Sequence, residues 1–161
     1  MKVPEQQGSG STCRALYSKC VVSKGETMFA LFQMHSGLRY LVLLAGLVAL
    51  VVYTLGFAQN RPFTKRSRLA GSIFLGLLDL QVLLGIVLAA VGYYSPKVIG
   101  HSVMMLLAAA LGHVLFSRNR KLPQPGFKLP LIAVTAVLVL ISAGILAIGR
   151  MPWAMTMVNP G

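Results

Sequence analysis

Four long apolar runs, separated by short polar breaks, make up most of this chain. A helix that crosses a bilayer needs about 20 mostly apolar residues. Four segments qualify, at about 38–58, 69–91, 99–117 and 129–149, the third slightly short. The breaks between them are brief, so consecutive helices must be antiparallel neighbours. The expected fold is all-α, an integral membrane up-down-up-down four-helix bundle with a disordered N-terminal tail.

The polar breaks are not equivalent. The first, QNRPFTKRSR, holds Arg61, Lys65, Arg66 and Arg68. The third holds Arg118, Arg120, Lys121 and Lys128, with Pro123 and Pro125 ending any helix there. The second, GYYSPKVIG, carries only Lys97. The positive-inside rule places the two basic loops in the cytoplasm, which leaves the N- and C-termini outside. Tyr40, Tyr93, Tyr94 and Trp153 then fall at the outer boundary, as an interfacial aromatic belt. Gly71, Gly85 and Gly92 recur at multiples of seven on the second span, and Ala108, Ala109, Ala110 and Gly112 crowd the third. Small residues of this kind let helices approach closely in lipid.

Residues 1–27 are polar and Gly/Ser-containing, with no apolar signal-peptide core. They read as a disordered tail. Met28 opens MFALFQMHSGLRY, a natural start for such a protein, so the tail reads as an upstream extension. The transmembrane domain is expected over 28–153, with a short C-terminal tail at 154–161.

Composition strengthens the membrane reading. The chain is 56% hydrophobic and 11% charged, against about 25% charged in soluble domains. Its net charge of +12 is accounted for by the loops and tail, without a basic patch interleaved with aromatics, so nucleic acid is not an expected partner. Cys13 and Cys20 both lie in the tail and form no metal-binding motif. No Gly-rich phosphate loop follows a strand, and one intramembrane acid cannot form a catalytic dyad. No catalytic residues are assigned.

Ionisable groups inside spans are costly and are functional candidates by default. Here they are His35, Arg39, Asp79, His101 and His113, with Gln81 as a neutral companion. Counting back from the outer ends of the second and third spans puts His113 within roughly 3 Å of Asp79 in depth. Asp79 therefore has a partner for a hydrogen bond. Arg39 should lie near the level of His101, and His35 about one turn further out, in the interface. His35, Arg39 and His101 make an outer polar group, Asp79 and His113 an inner one. His35 as an interfacial anchor and Arg39 snorkelling to headgroups are the plainer alternatives.

Two histidines from different helices of a bundle can ligate a haem iron. The twelve-residue step from His101 to His113 turns about 120° round the helix, which argues against two haems stacked on one face. Taken together, HSGLRYLVLL, FTKRSRLAGSIF, DLQVLLGIVL, SPKVIGHSVMMLLAAALGH and the closing GRMPW resemble a family of small bacterial four-span membrane proteins labelled cytochrome b, over Met34 to Trp153. The resemblance implies a b-type haem carrier of the bacterial cytoplasmic (inner) membrane. His35, His101 and His113 match family histidines, and Gln81 and Met104–Met105 match its pattern. The family's second span usually reads H-x-Q, whereas this chain has Asp79-Leu80-Gln81. If that histidine binds iron in the family, one site is lost here.

Three functions are therefore weighed. The first is a cytochrome b-like electron carrier beside a larger respiratory or photosynthetic complex, with haem b on His35 and His101 and quinone or other membrane subunits as partners. The second is a cofactor-free accessory subunit. The third is a proton or ion conduit using Asp79 and His113. All three describe a redox carrier, subunit or conduit rather than an independent enzyme.

Overall fold

The computed structural model describes residues 9–91 and 96–149. Four helices follow one another: α1 (Ser9–Ala58), α2 (Lys65–Ala90), α3 (Pro96–Lys121) and α4 (Lys128–Ala147). No strand occurs among the described residues. α1 packs on α2 and α4, and α3 packs on the same two, so the bundle closes as a ring with antiparallel neighbours. This is the all-α up-down-up-down bundle expected from the pattern.

α1 departs from expectation at its start. It runs as one helix from Ser9, through most of the segment read as a disordered tail. The chain has no proline between Pro4 and Pro62, so nothing in that stretch removes a backbone donor or forces a break. Among the residues whose side chains are described, the part of α1 long and apolar enough to cross a membrane is Glu26–Ala58. The other candidate spans are Lys65–Ala90, Val98–Lys121 and Lys128–Ala147. Gly92, Tyr93, Tyr94, Trp153 and the C-terminal tail at 154–161 lie outside the described residues.

The helix ends follow the local sequence. Asn60 takes φ 49° and reverses the chain after α1, with Arg61 N–H donating to Gly56 O at 3.0 Å. Thr64 is extended at the N-cap of α2. Pro96 opens α3, where its missing N–H costs nothing. Gly149, at φ 73°, closes α4 by donating to Leu146 O at 2.8 Å, the left-handed ending that glycine favours.

The interior is an apolar core, and the outer surface, unlike that of a soluble bundle, is apolar as well. Leu44, Leu55, Leu83, Leu107, Val114, Val139 and Leu146 all point outward with about half or more of their surface exposed. Contiguous apolar surface on this scale belongs in lipid. Within a bilayer, helices gain little from the hydrophobic effect and must associate by close packing and hydrogen bonds. The contacts show this. A Cβ on Gly46 would lie 2.7 Å from Leu138 Cδ2, and one on Gly112 would lie 2.8 Å from Leu75 Cδ2. Ala49, Ala108 and Ala133 are fully buried.

The end that carries both basic loops is closed by an aromatic box. Tyr53 is fully buried and donates its hydroxyl to Ser67 O at 2.9 Å. The rings of Phe63, Phe116 and Phe127 surround it at centroid distances of 6.3, 6.1 and 6.2 Å. Asn119, also buried, accepts from Gly126 N–H at 3.3 Å and fixes the loop before α4. Gly71 lies under this box, where a Cβ would run into the Phe116 ring and the Tyr53 hydroxyl. Gly71→Ala is expected to destabilise the bundle by about 1–3 kcal/mol through overpacking. A lower thermal midpoint in detergent checks this, and an unchanged midpoint would show that the box yields freely.

Candidate functional site

The intramembrane polar residues separate into two groups on opposite sides of the helix walls. The rotation of α2 decides which residue joins which. Each residue turns about 100° round a helix, so Asp79 and Gln81, two apart, point in roughly opposite directions. Gln81 shares the inward face with Phe74 and Leu78 and is 7% exposed. Asp79 points outward.

The inward group lies in the half of the bundle away from the basic loops. Gln81 is about 24 Å along α2 from Lys65 and about 14 Å from Ala90 at 1.5 Å per residue. Its amide Nε2 donates to the carbonyl of His35 on α1 at 2.9 Å and lies 3.4 Å from His35 Nε2. The His35 ring faces His101 of α3, with centroids 6.5 Å apart and planes at 82°. His101 Nδ1 is 2.9 Å from the carbonyl of Gly144 on α4. A carbonyl can only accept, so Nδ1 carries the proton and the Nε2 lone pair of His101 is free to bind a metal. Four helices thus contribute to one cluster.

Two glycines make room for the imidazoles. A Cβ on Gly85 would lie 3.2 Å from His35 Cε1. A Cβ on Gly144 would lie 2.6 Å from Met105 Cε and 3.4 Å from His101 Nδ1. The expectation that Gly85 serves close approach therefore holds, with a histidine ring as the neighbour. Met105 is buried packing beneath His101. Among the described residues, His35 Nδ1 and Gln81 Oε1 are buried without a hydrogen-bond partner.

This geometry corrects the depth assignment of His35. It was expected one turn outside His101, in the interface. The structure brings the two rings together across α1 and α3, with centroids 6.5 Å apart. Arg39 follows one turn deeper and is 8% exposed, with Nη2 donating to Tyr40 Oη at 2.8 Å and the guanidinium 4.7 Å from that ring's centroid.

The outward group is Asp79 and His113. His113 Nε2 lies 2.8 Å from Asp79 Oδ1 and 3.0 Å from Oδ2, so the depth match expected between α2 and α3 is a direct contact. Both side chains are about half exposed, 54% for His113 and 48% for Asp79. The pair sits on the outer wall and does not line the interior. His113 is also about 18 Å along α3 from His101, twelve residues away. His113, a cofactor-binding candidate through the family resemblance, stays apart from the His35–His101 cluster, in keeping with the expected division into an outer and an inner polar group.

His35 and His101 are the residues that would hold a metal between two imidazoles. His101 is oriented by a backbone carbonyl, the usual outer-shell support of a ligating histidine. The His35 nitrogen without a hydrogen-bond partner, Nδ1, lies on the ring edge that faces Gly85 of α2, so this ring would have to turn toward His101 to share a metal with it. Metal–imidazole bonds of about 2 Å on each side are compatible with ring centres at the observed separation. Among the described residues, no group of three or more His, Cys, Asp or Glu side chains gathers into an all-protein metal site. Comparisons of the chain with protein-family models, with curated proteins and with solved structures gave no match.

Proposed function

We propose that this chain is a cytochrome b-like electron carrier of the bacterial inner membrane, holding one haem b between His35 and His101. The observation that carries the reading is the His35–His101 pair, assembled from α1 and α3 with the His101 tautomer fixed by Gly144 O. A bound haem would supply a one-electron redox couple. The chain's own residues do the rest. Gly144 O holds His101 with Nε2 unprotonated. Gly85 leaves space for the His35 ring, and Gln81 ties the His35 backbone to α2. The apolar outer wall keeps the site in lipid, within reach of a quinone or a neighbouring redox subunit.

The test is a visible spectrum of the purified protein, oxidised and then reduced. A reducible low-spin haem band supports the reading. Absence of the band after expression with excess haem, and after haem addition to the purified protein, overturns it.

A second reading has its own observation. Gln81 already satisfies the His35 carbonyl and approaches His35 Nε2, so the cluster holds together with protein groups alone. On that reading the chain is a cofactor-free accessory subunit, and it co-purifies with larger partners and shows no visible band. The conduit reading has weaker support, because Asp79 and His113 lie on the outer wall.

The proposed orientation has both basic loops in the cytoplasm and both termini outside, from four cations in each of two loops against the single Lys97. Cysteines placed between Arg61 and Arg68 are expected to resist a membrane-impermeant label applied to intact cells. Ready labelling there would invert the topology.

A further inference from the structure

The Asp79–His113 pair is the unexplained feature of this fold. It lies near mid-membrane, with Asp79 about 21 Å along α2 from Lys65 and about 17 Å from Ala90. Polar groups at this depth almost always face a bundle interior, a watery cavity or one another. This pair is bonded to itself, yet half of each side chain looks out from the α2/α3 wall. Among the described residues, His113 Nδ1 has no hydrogen bond, and the carboxyl retains acceptor capacity beyond the single Nε2 contact. Around the pair the wall is apolar, with Ile73, Leu80, Leu106 and Val114 exposed.

We infer that this wall is the interface of a homodimer, in which the Asp79–His113 pair of one copy meets the same pair of a second copy. The argument is charge complementarity under symmetry. Two copies with the same topology are related by a two-fold axis along the membrane normal, so every residue meets its counterpart's depth. Rotation by 180° about that axis also exchanges left and right. Asp79 on α2 then faces His113 on α3 of the other copy, and His113 faces the other Asp79. The contact is self-complementary, as a two-fold interface requires. Four polar groups enclose one another and none remains toward lipid. The wall also permits close approach. Gly76, one turn before Asp79, has nothing within 4 Å of where its Cβ would be, and Ala110, one turn before His113 on α3, is also exposed. The inference does not depend on the proposed haem, whose histidines lie inside the bundle.

The test uses the full chain in lipid vesicles, with Cys13→Ser and Cys20→Ser removing the native thiols. Gly76→Cys is added on the α2/α3 wall. Val139→Cys, 62% exposed beside the α1/α4 groove, provides the opposite wall. A bifunctional thiol reagent long enough to span the diagonal between the two α2 helices is expected to give a cross-linked dimer from Gly76→Cys and none from Val139→Cys. Adding Asp79→Leu to Gly76→Cys should abolish the dimer band. Exchanging the pair, Asp79→His with His113→Asp, should keep it, because the cross-pairing survives the exchange. No band from Gly76→Cys, equal bands from both walls, or loss of the band in the exchanged variant would overturn the homodimer. Cross-linking of Gly76→Cys to a different host protein, with no dimer, would overturn it in favour of another subunit on the same wall.

Discussion

His101→Ala is expected to abolish the low-spin haem spectrum of the purified protein. Two imidazoles are needed for that spectrum, and the structure offers one inward pair, His35 with His101. His35→Ala should have the same effect. His113→Ala should leave the spectrum in place, since His113 faces outward and is about 18 Å along the helix from His101. A spectrum that survives either inward change but is lost with His113→Ala would move the ligand to the outer wall. Gly144→Ala gives a graded check. Its Cβ would press on Met105 and on His101 Nδ1, disturbing the support of the ligand rather than the ligand itself. Outer-shell changes of this kind typically cost 10–100-fold in metal affinity. Haem retention should fall while the chain still folds. Unchanged retention in Gly144→Ala would show that the carbonyl contact does not position His101.

The bundle was legible because its signal is long and redundant. Four runs of about 20 apolar residues admit few other folds in a chain this size, and the basic loops mark their turns. The start of α1 was not legible in the same way. Residues 9–27 are polar, so hydropathy alone reads them as tail, while helix continuation depends on the absence of a breaker after Pro4. The depth of His35 was misplaced because it was counted from Leu38 as the start of the first span, whereas α1 is helical well before it and packs the His35 ring against His101.

The two faces of α2 were legible in principle. A step of two residues cannot keep Asp79 and Gln81 on the same side of a helix. The pattern Phe74, Leu78, Gln81 marks the inward face, and Asp79 falls off it. Depth matching found the Asp79–His113 contact because antiparallel neighbours with a short loop fix relative depth closely. It could not say which wall the contact faced. The cradles at Gly85 and Gly144 lay beyond sequence reasoning, since each depends on a ring from another helix.

Asp79→Leu and His113→Leu are expected to be coupled, and their coupling is the second large effect. The pair is a direct interhelical contact at 2.8 Å in a medium that offers no water to replace a lost partner. Removing one partner leaves the other polar and unpaired near mid-membrane, whereas removing both leaves an apolar wall that suits lipid. The double variant should therefore be less destabilised than the sum of the two singles. Measured interhelical hydrogen bonds in membranes average about 0.6 kcal/mol and reach about 1.7 kcal/mol. The Asp79–His113 coupling should fall in the upper part of that range, because both carboxyl oxygens lie within reach of one nitrogen. Thermal unfolding in detergent at a concentration that keeps every variant monomeric isolates this term from the dimer contact. Coupling below about 0.5 kcal/mol, the additive limit for independent sites, would show that the contact contributes nothing within one chain. The same cycle repeated in vesicles reads the pair with its proposed second copy present. A larger coupling there than in the monomer is the result that a four-group interface requires, since each single change then leaves two like polar groups, both His113 or both Asp79, facing one another across the contact.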